Sequence, residues 1–181
     1  KNRPLADSLS QLSLDLVRQG MSSDIGKPSY ITHEEWQKIQ EGNYGMYADT
    51  YAFILAQNGN YKDALGYEEK AIADSHGNES PDMNERYALY LEKTGDTAAA
   101  KAALEKFIKD GQSTENMKIQ LRDIYVKEKG ADKGYDTYLA GLEAAAREKM
   151  KTDLAKEMIS QPAAGFTLPD MDGRQIALNG L

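Results

Sequence analysis

Cysteine is absent from the 181 residues, and with it go disulfides, thiol catalysis and zinc–thiolate sites within them; the redox compartment is left open. Histidine occurs twice. His33 and His76 have no ligand at matching spacing, so a transition-metal site, which needs three or four converging donors, is not expected. Glycine-rich phosphate loops and Gly-x-Ser-x-Gly are missing too. No apolar run approaches the ~18 residues that a membrane-spanning helix requires. Basic residues are outnumbered, 22 against 29 acids, for a net charge of −7. They do not cluster, and nucleic-acid phosphates would be repelled. Adjacent carboxylates such as Glu34-Glu35 and Glu68-Glu69 point away from each other on a helix and read as solvated faces rather than acid/base pairs. The sequence thus offers no catalytic, cofactor-binding or metal-binding set. The chain opens on Lys1 with neither an initiator methionine nor a signal-type apolar segment, and is read as a processed or trimmed piece of something longer.

What the sequence does contain is a repeated pattern. Ala64, Tyr67, Glu68, Ala71 and Ile72 stand at offsets zero, three, four, seven and eight; so do Ala100, Ala103, Leu104, Phe107 and Ile108, and again Gly134, Thr137, Tyr138, Gly141 and Leu142. That spacing is the inward stripe of an α-helix. It recurs after 36 residues and then after 34, and a fixed period of this size means stacked repeats. Gly59-Asn60, Gly95-Asp96 and Gly130-Ala131-Asp132 supply turns, with glycine ending one helix and Asn or Asp capping the next. Upstream, Tyr51-Ala52 with Leu55, and Tyr87-Ala88 with Leu91, repeat in frame. Each unit is therefore a helical hairpin, with Ala52, Ala64, Ala88 and Ala100 predicted at close helix contacts.

In these features residues 46 to 145 resemble the tetratricopeptide repeat family: a small residue in the first helix, a Gly-Asp/Asn turn seven residues on, and small then bulky residues down the second. The chain departs from that pattern at Glu68, where an aromatic is usual and Tyr67 stands beside it. It departs again in the third copy, where Arg122 takes a small-residue position if the copies are aligned on Gly134. The resemblance implies an all-α fold of tetratricopeptide-like stacked helical hairpins, an α-α superhelix, to which the alternating runs of the last residues add a short C-terminal β-hairpin.

Ahead of the repeats, Leu5, Leu9, Leu12 and Leu16 recur at four, three and four, the core-facing seam of an amphipathic helix ending at Gly20. Met21 to Ile31 reads as a loop. Thr32-His33-Glu34-Glu35 is a capping box opening a short helix with Trp36 and Ile39, which Gly42-Asn43-Tyr44-Gly45 breaks or kinks. These two helices form a degenerate hairpin or an end cap, since a terminal repeat exposes an apolar face. Ser80-Pro81 marks a helix start, and Asp110-Gly111-Gln112-Ser113 does the same for the third copy, whose first helix carries Met117, Leu121, Ile124 and Tyr125. Its second helix begins near Asp132 and is predicted to run toward Pro162. The organisation expected is an N-terminal pair or cap over 1–45, three hairpins over 46–162, and a different segment over 163–181, with seven or eight helices in all.

In that last segment, Phe166-Thr167-Leu168 and Gln175-Ile176-Ala177-Leu178 alternate around Asp172-Gly173, a local hairpin signal. An isolated hairpin is marginal, so this one is expected to belong to a sheet outside the chain or to pack on the helices. Residues Ala164 to Leu181 resemble the start of thioredoxin-like domains of the peroxiredoxin and TlpA/ResA type, with Gly165 where a proline is usual. In those families the reactive cysteine, alone or as Cys-x-x-Cys, lies beyond the equivalent of Leu181. The resemblance therefore implies a helical interaction or spacer region of a periplasmic or cell-envelope thiol–disulfide oxidoreductase, non-catalytic in these residues. The alternative is a free-standing scaffold or peptide-binding module, and a helical enzyme using scattered Asp, Glu and Tyr ranks lowest. Stacked hairpins present a concave surface lined by their first helices, which here would show Asp49, Phe53, Glu85, Leu89 and Glu92. Such acids and apolars do not match the Lys and Asn of a carboxylate clamp. A basic or amphipathic peptide suits them.

Overall fold

The computed structural model describes residues 3–74, 80–158 and 167–177. His76, Pro162, Gly165, Phe166 and Leu178 lie outside them. Among the described residues the chain is helical apart from one hairpin: α1 (Arg3–Met21), α2 (His33–Gln57), α3 (Tyr61–Asp74), α4 (Pro81–Lys93), α5 (Thr97–Lys109), α6 (Glu115–Lys129), α7 (Tyr135–Glu157), then β1 (Thr167–Pro169) and β2 (Gln175–Ala177). It divides into two compact units, Lys1–Lys149 and Met150–Leu181.

Helix starts follow the side chains that satisfy free backbone amides. The Thr32–Glu35 capping box forms at α2, with Glu35 N donating to Thr32 Oγ1 and Thr32 N to Glu35 Oε2. Ser80 caps α4, with Pro81 in its first turn, and Asp96 caps α5. The cap of α6 is Thr114, one residue beyond the predicted Asp110–Ser113 signal; its Oγ1 accepts from Met117 N at 3.2 Å. Gly59, Gly95 and Gly130 all take positive φ, the left-handed conformation that lets a chain leave one helix and turn back into the next at low cost.

In the larger unit each helix packs on the next, α1 on α2, α2 on α3, and so on to α5 on α6. Ala52, Ala64, Ala88 and Ala100 are fully buried, so the small residues stand where the repeat predicts close approach. One buried cluster joins α1 to α4 through Leu14, Tyr44, Ala48, Leu55, Ala71 and Tyr90. A second joins α4 to α7 through Leu91, Leu104, Phe107, Leu121, Ile124 and Leu142.

Three sequence expectations are corrected. Gly42 to Gly45 does not break the helix, and α2 runs unbroken for 25 residues, so a single helix packs on both α1 and α3. Gly45 is there for space: a Cβ at that position would stand 3.2 Å from the Ala71 carbonyl oxygen and 3.3 Å from Asp74 Cβ.

Second, Leu5, Leu9, Leu12 and Leu16 are not the core seam of α1; all four are exposed, and Leu14 and Val17 are buried instead. The reason lies in α2, whose buried tyrosines carry hydroxyls needing partners. Gln11 Nε2 reaches Tyr51 Oη at 2.5 Å and Arg18 Nη2 reaches Tyr44 Oη at 3.0 Å, so the face of α1 turned to α2 alternates apolar and polar residues.

Third, the inward stripe of α7 is Tyr135, Tyr138, Leu139 and Leu142; Gly134, Thr137 and Gly141 are exposed. Counted from the preceding turn glycine, Tyr135 occupies the position of Ala64 and Ala100, five residues on. In α6 the buried stripe is Met117, Leu121 and Ile124, which places Leu121 where Ala52 and Ala88 stand. Arg122 is instead exposed and bonds Asp132 at 2.7 Å. Two bulky residues thus replace two alanines, and the third hairpin closes through a tyrosine cluster, Tyr125 stacking on Tyr138 and meeting Tyr135 edge-on.

In the smaller unit, β1 and β2 pair antiparallel with Leu168 opposite Ile176. Asp170 Oδ1 accepts from Asp172 N at 2.9 Å and Arg174 N at 2.8 Å, an Asx-type turn completed by Gly173 at φ 79°. Leu168 and Ile176 are exposed.

The two glycines of α2 make opposite predictions. Nothing lies within 4 Å of a Cβ built on Gly42, so Gly42→Ala should stabilise by about 0.5–1 kcal/mol through helix propensity. Gly45→Ala should lose that gain against the Ala71 carbonyl. Denaturant midpoints of the two variants check this; equal gains would show that α2 and α3 are not in close contact at Gly45.

Candidate functional site

Asp49 and Phe53 are one turn apart on α2, and Glu85, Leu89 and Glu92 fall at zero, four and seven on α4, so each set shares a helix face. The structure joins them across helices. Phe53, Glu85 and Leu89 line one pocket of about 260 Å³ with Tyr61 from α3 and Asp82, Arg86 and Tyr90 from α4. Phe53 is 48% exposed and Leu89 36%, which makes them the apolar lip.

The three predicted acids are engaged within the fold. Asp49 accepts two hydrogen bonds from Arg86, one from Nε at 3.0 Å and one from Nη2, which ties α2 to α4. Glu85 accepts from Thr114 Oγ1 and, at 3.0 Å, from Asn116 Nδ2. Glu92 accepts from Gln120 Nε2 at 2.9 Å and Lys127 Nζ at 3.2 Å, so both acids tie α4 to α6. Burial acts to raise the Glu92 pKa, but the bonds from Gln120 and Lys127 outweigh it and hold the group below its ordinary value. Glu92 stands outside the pocket lining.

Behind the pocket lies what the sequence reading placed in solvent. Glu68, on the inward stripe of α3, is completely buried, and neither carboxylate oxygen has a hydrogen-bond donor in reach. Its Oε1 lies 3.7 Å from Arg86 Nε, yet Arg86 is already engaged by Asp49. Burial, and next the charge of Asp49, push the Glu68 pKa up to about 9, with Arg86 opposing. Glu68 is thus the neutral acid at pH 7, able to donate its proton to Asp49. Tyr90, 1% exposed, has a buried hydroxyl without a partner, and burial raises its pKa as well. Tyr61 lies beside it, ring centroids 6.2 Å apart.

Sequence reasoning missed Glu68, Arg86, Tyr90, Tyr61 and Asp82. A signal existed for Glu68, since it sits at offset four of the stripe whose other members are apolar; for Arg86 only the pairing across helices reveals the role. His33 is exposed, its Nδ1 2.6 Å from Asp24 Oδ1. Among the described residues no group of three or more His, Asp or Glu side chains is placed to hold a metal ion, and no helix is long and apolar enough to cross a membrane. A larger groove of about 470 Å³, between α3, α4 and α5, has an alanine floor of Ala99, Ala102 and Ala103; its charged residues, Glu69 and Lys106, are exposed. Comparison with family models, curated proteins and solved structures finds no match.

Glu68 sets a pH dependence. Its folded pKa of about 9 lies above the ordinary 4.5, so between these values the folded state holds a proton that the unfolded state has released. Stability is therefore greatest below pH 4.5 as far as this group is concerned, and falls as pH rises to 9, by up to about 1.4 kcal/mol per unit. Glu68→Gln should flatten the denaturant midpoint between pH 5 and 9. A profile unchanged by the substitution would show that Glu68 is ionised in the fold.

Proposed function

We propose that the helical hairpins form a protein- or peptide-binding region, and that the region serves a cell-envelope thiol–disulfide oxidoreductase whose thioredoxin-like domain begins in the C-terminal segment. The observation that carries the binding reading is the placement of two large apolar side chains, Phe53 and Leu89, half-exposed at the lip of one pocket. An aromatic or aliphatic anchor seated at a pocket is what a binding interface is built around. The surrounding carboxylates favour basic or amphipathic partners over acidic ones. The oxidoreductase reading rests on the resemblance of the C-terminal segment, to which the β1–β2 hairpin and its exposed Leu168 and Ile176 add support. On this reading the helices hold a client or partner, and thiol chemistry belongs to cysteines beyond the equivalent of Leu181. A free-standing binding module is the second reading, and it shares the same pocket.

Peptides selected by phage display against the chain provide the test. Phe53→Ala and Leu89→Ala should each weaken their binding about tenfold or more, the effect of truncating a central anchor, whereas Ile25→Ala, at an exposed residue outside the pocket, should leave it unchanged. Equal loss at all three positions, or none at Phe53 and Leu89, would remove the pocket from the binding surface.

A further inference from the structure

The pocket between α2, α3 and α4 has a composition more specific than an apolar anchor site. Its walls are aromatic: Phe53 at the lip, Tyr61 to one side, and Tyr90 within, 1% exposed and with a hydroxyl that has no partner. Its rim is acidic, from Asp82 and Glu85. Arg86 is the cation lining it, and that charge is taken up by Asp49 and turned toward Glu68. Asp82, exposed in the first turn of α4, has no partner among the described residues. Glu85 is fixed in place by Thr114 and Asn116 from the α6 N-terminus. The pocket therefore offers ring faces and edges and uncompensated negative charge at the mouth, with the unpartnered Tyr90 hydroxyl sealed behind them.

Resting on the binding function proposed above, we infer that this pocket takes one long basic side chain, lysine or arginine, of the bound peptide. The aliphatic stem lies along Phe53 and Leu89, as such stems do on apolar surface. The cationic head meets the ring of Tyr61 by cation–π attraction and the carboxylates of Asp82 and Glu85 by charge. The volume of about 260 Å³ suits a single extended side chain rather than a drug-sized ligand, for which pockets start at roughly 300 Å³. An acidic side chain is rejected by the rim, because like charges brought together at an interface are strongly unfavourable.

Two probes test the inference on the full chain. n-Butylguanidinium and n-butyrate carry similar short, unbranched alkyl stems with opposite charge. Followed by amide chemical shifts, butylguanidinium should move Phe53, Arg86 and Leu89 saturably while butyrate does not, and Asp82→Asn should weaken it about threefold, the scale of one partly exposed ion pair. Equal shifts with the two probes, or butylguanidinium shifts confined to other acidic surfaces, overturn the inference. The second probe is a leucine–lysine peptide against its leucine–glutamine counterpart. Preference for the lysine peptide that Asp82→Asn reduces supports the basic pocket. Equal binding of both, lost with Phe53→Ala, overturns it while leaving the groove as the binding surface. If neither peptide binds and butylguanidinium leaves the three amides unmoved, both readings fall.

Discussion

A carboxyl group sealed at the junction of three helices constrains the first half of this fold. Glu68 has no solvent exposure and no donor for either oxygen, and an uncompensated buried carboxylate is among the costliest groups a protein can hold. The fold meets that cost by keeping the proton on. Arg86, the nearby cation, is drawn away by two hydrogen bonds to Asp49, and the charge of Asp49 itself adds to the reluctance of Glu68 to ionise. One arrangement thereby specifies the positions of α2, α3 and α4 together. If α3 rotates, the carboxyl leaves its cavity; if α4 shifts, Asp49 loses its cation. An apolar residue at position 68 would fill the space but would fix none of these relations.

The hairpins were legible in the sequence because their determinants are local and periodic. Ala64 and Ala100 mark the same turn of successive second helices, and the glycines before them set the left-handed exits. What escaped had non-local causes. Whether Leu5, Leu9, Leu12 and Leu16 or Leu14 and Val17 face inward depends on the hydroxyls of Tyr44 and Tyr51 in the next helix, which demand Arg18 and Gln11, 26 and 40 residues earlier, at the interface. Gly42 and Gly45 read alike as breakers, yet the second is set by the end of α3, whose backbone comes too near for a side chain. Periodicity placed the third stripe one residue early, at Gly134, although Gly130 to Gly134 is one residue shorter than Gly59 to Ala64, because equal spacing along the helix outweighed the distance from the turn glycine.

The candidate site was half legible for the same reason. Helical spacing put Asp49 and Phe53 on one face and Glu85, Leu89 and Glu92 on another, and the structure brings those faces side by side. It did not show that the acids were spoken for. Each of Asp49, Glu85 and Glu92 accepts from a neighbouring first helix, so their first role is to align α2, α4 and α6. Glu68 was read as half of a solvated pair because adjacent residues on a helix diverge. That divergence is real, and it sends Glu69 outward and Glu68 into the core.

These ties bear on binding as well as on folding. A groove assembled from separate helices must keep its walls fixed, since every rotamer and helix position ordered on association subtracts from affinity. Here Asp49–Arg86 closes the distance between α2 and α4, and Glu85 and Glu92 close that between α4 and α6, before any partner arrives. Arg86 is consumed in the process, which removes the cation that would otherwise balance Asp82 and Glu85 at the pocket mouth. The interactions that hold the first helices in line are thus the ones that leave the pocket between them acidic.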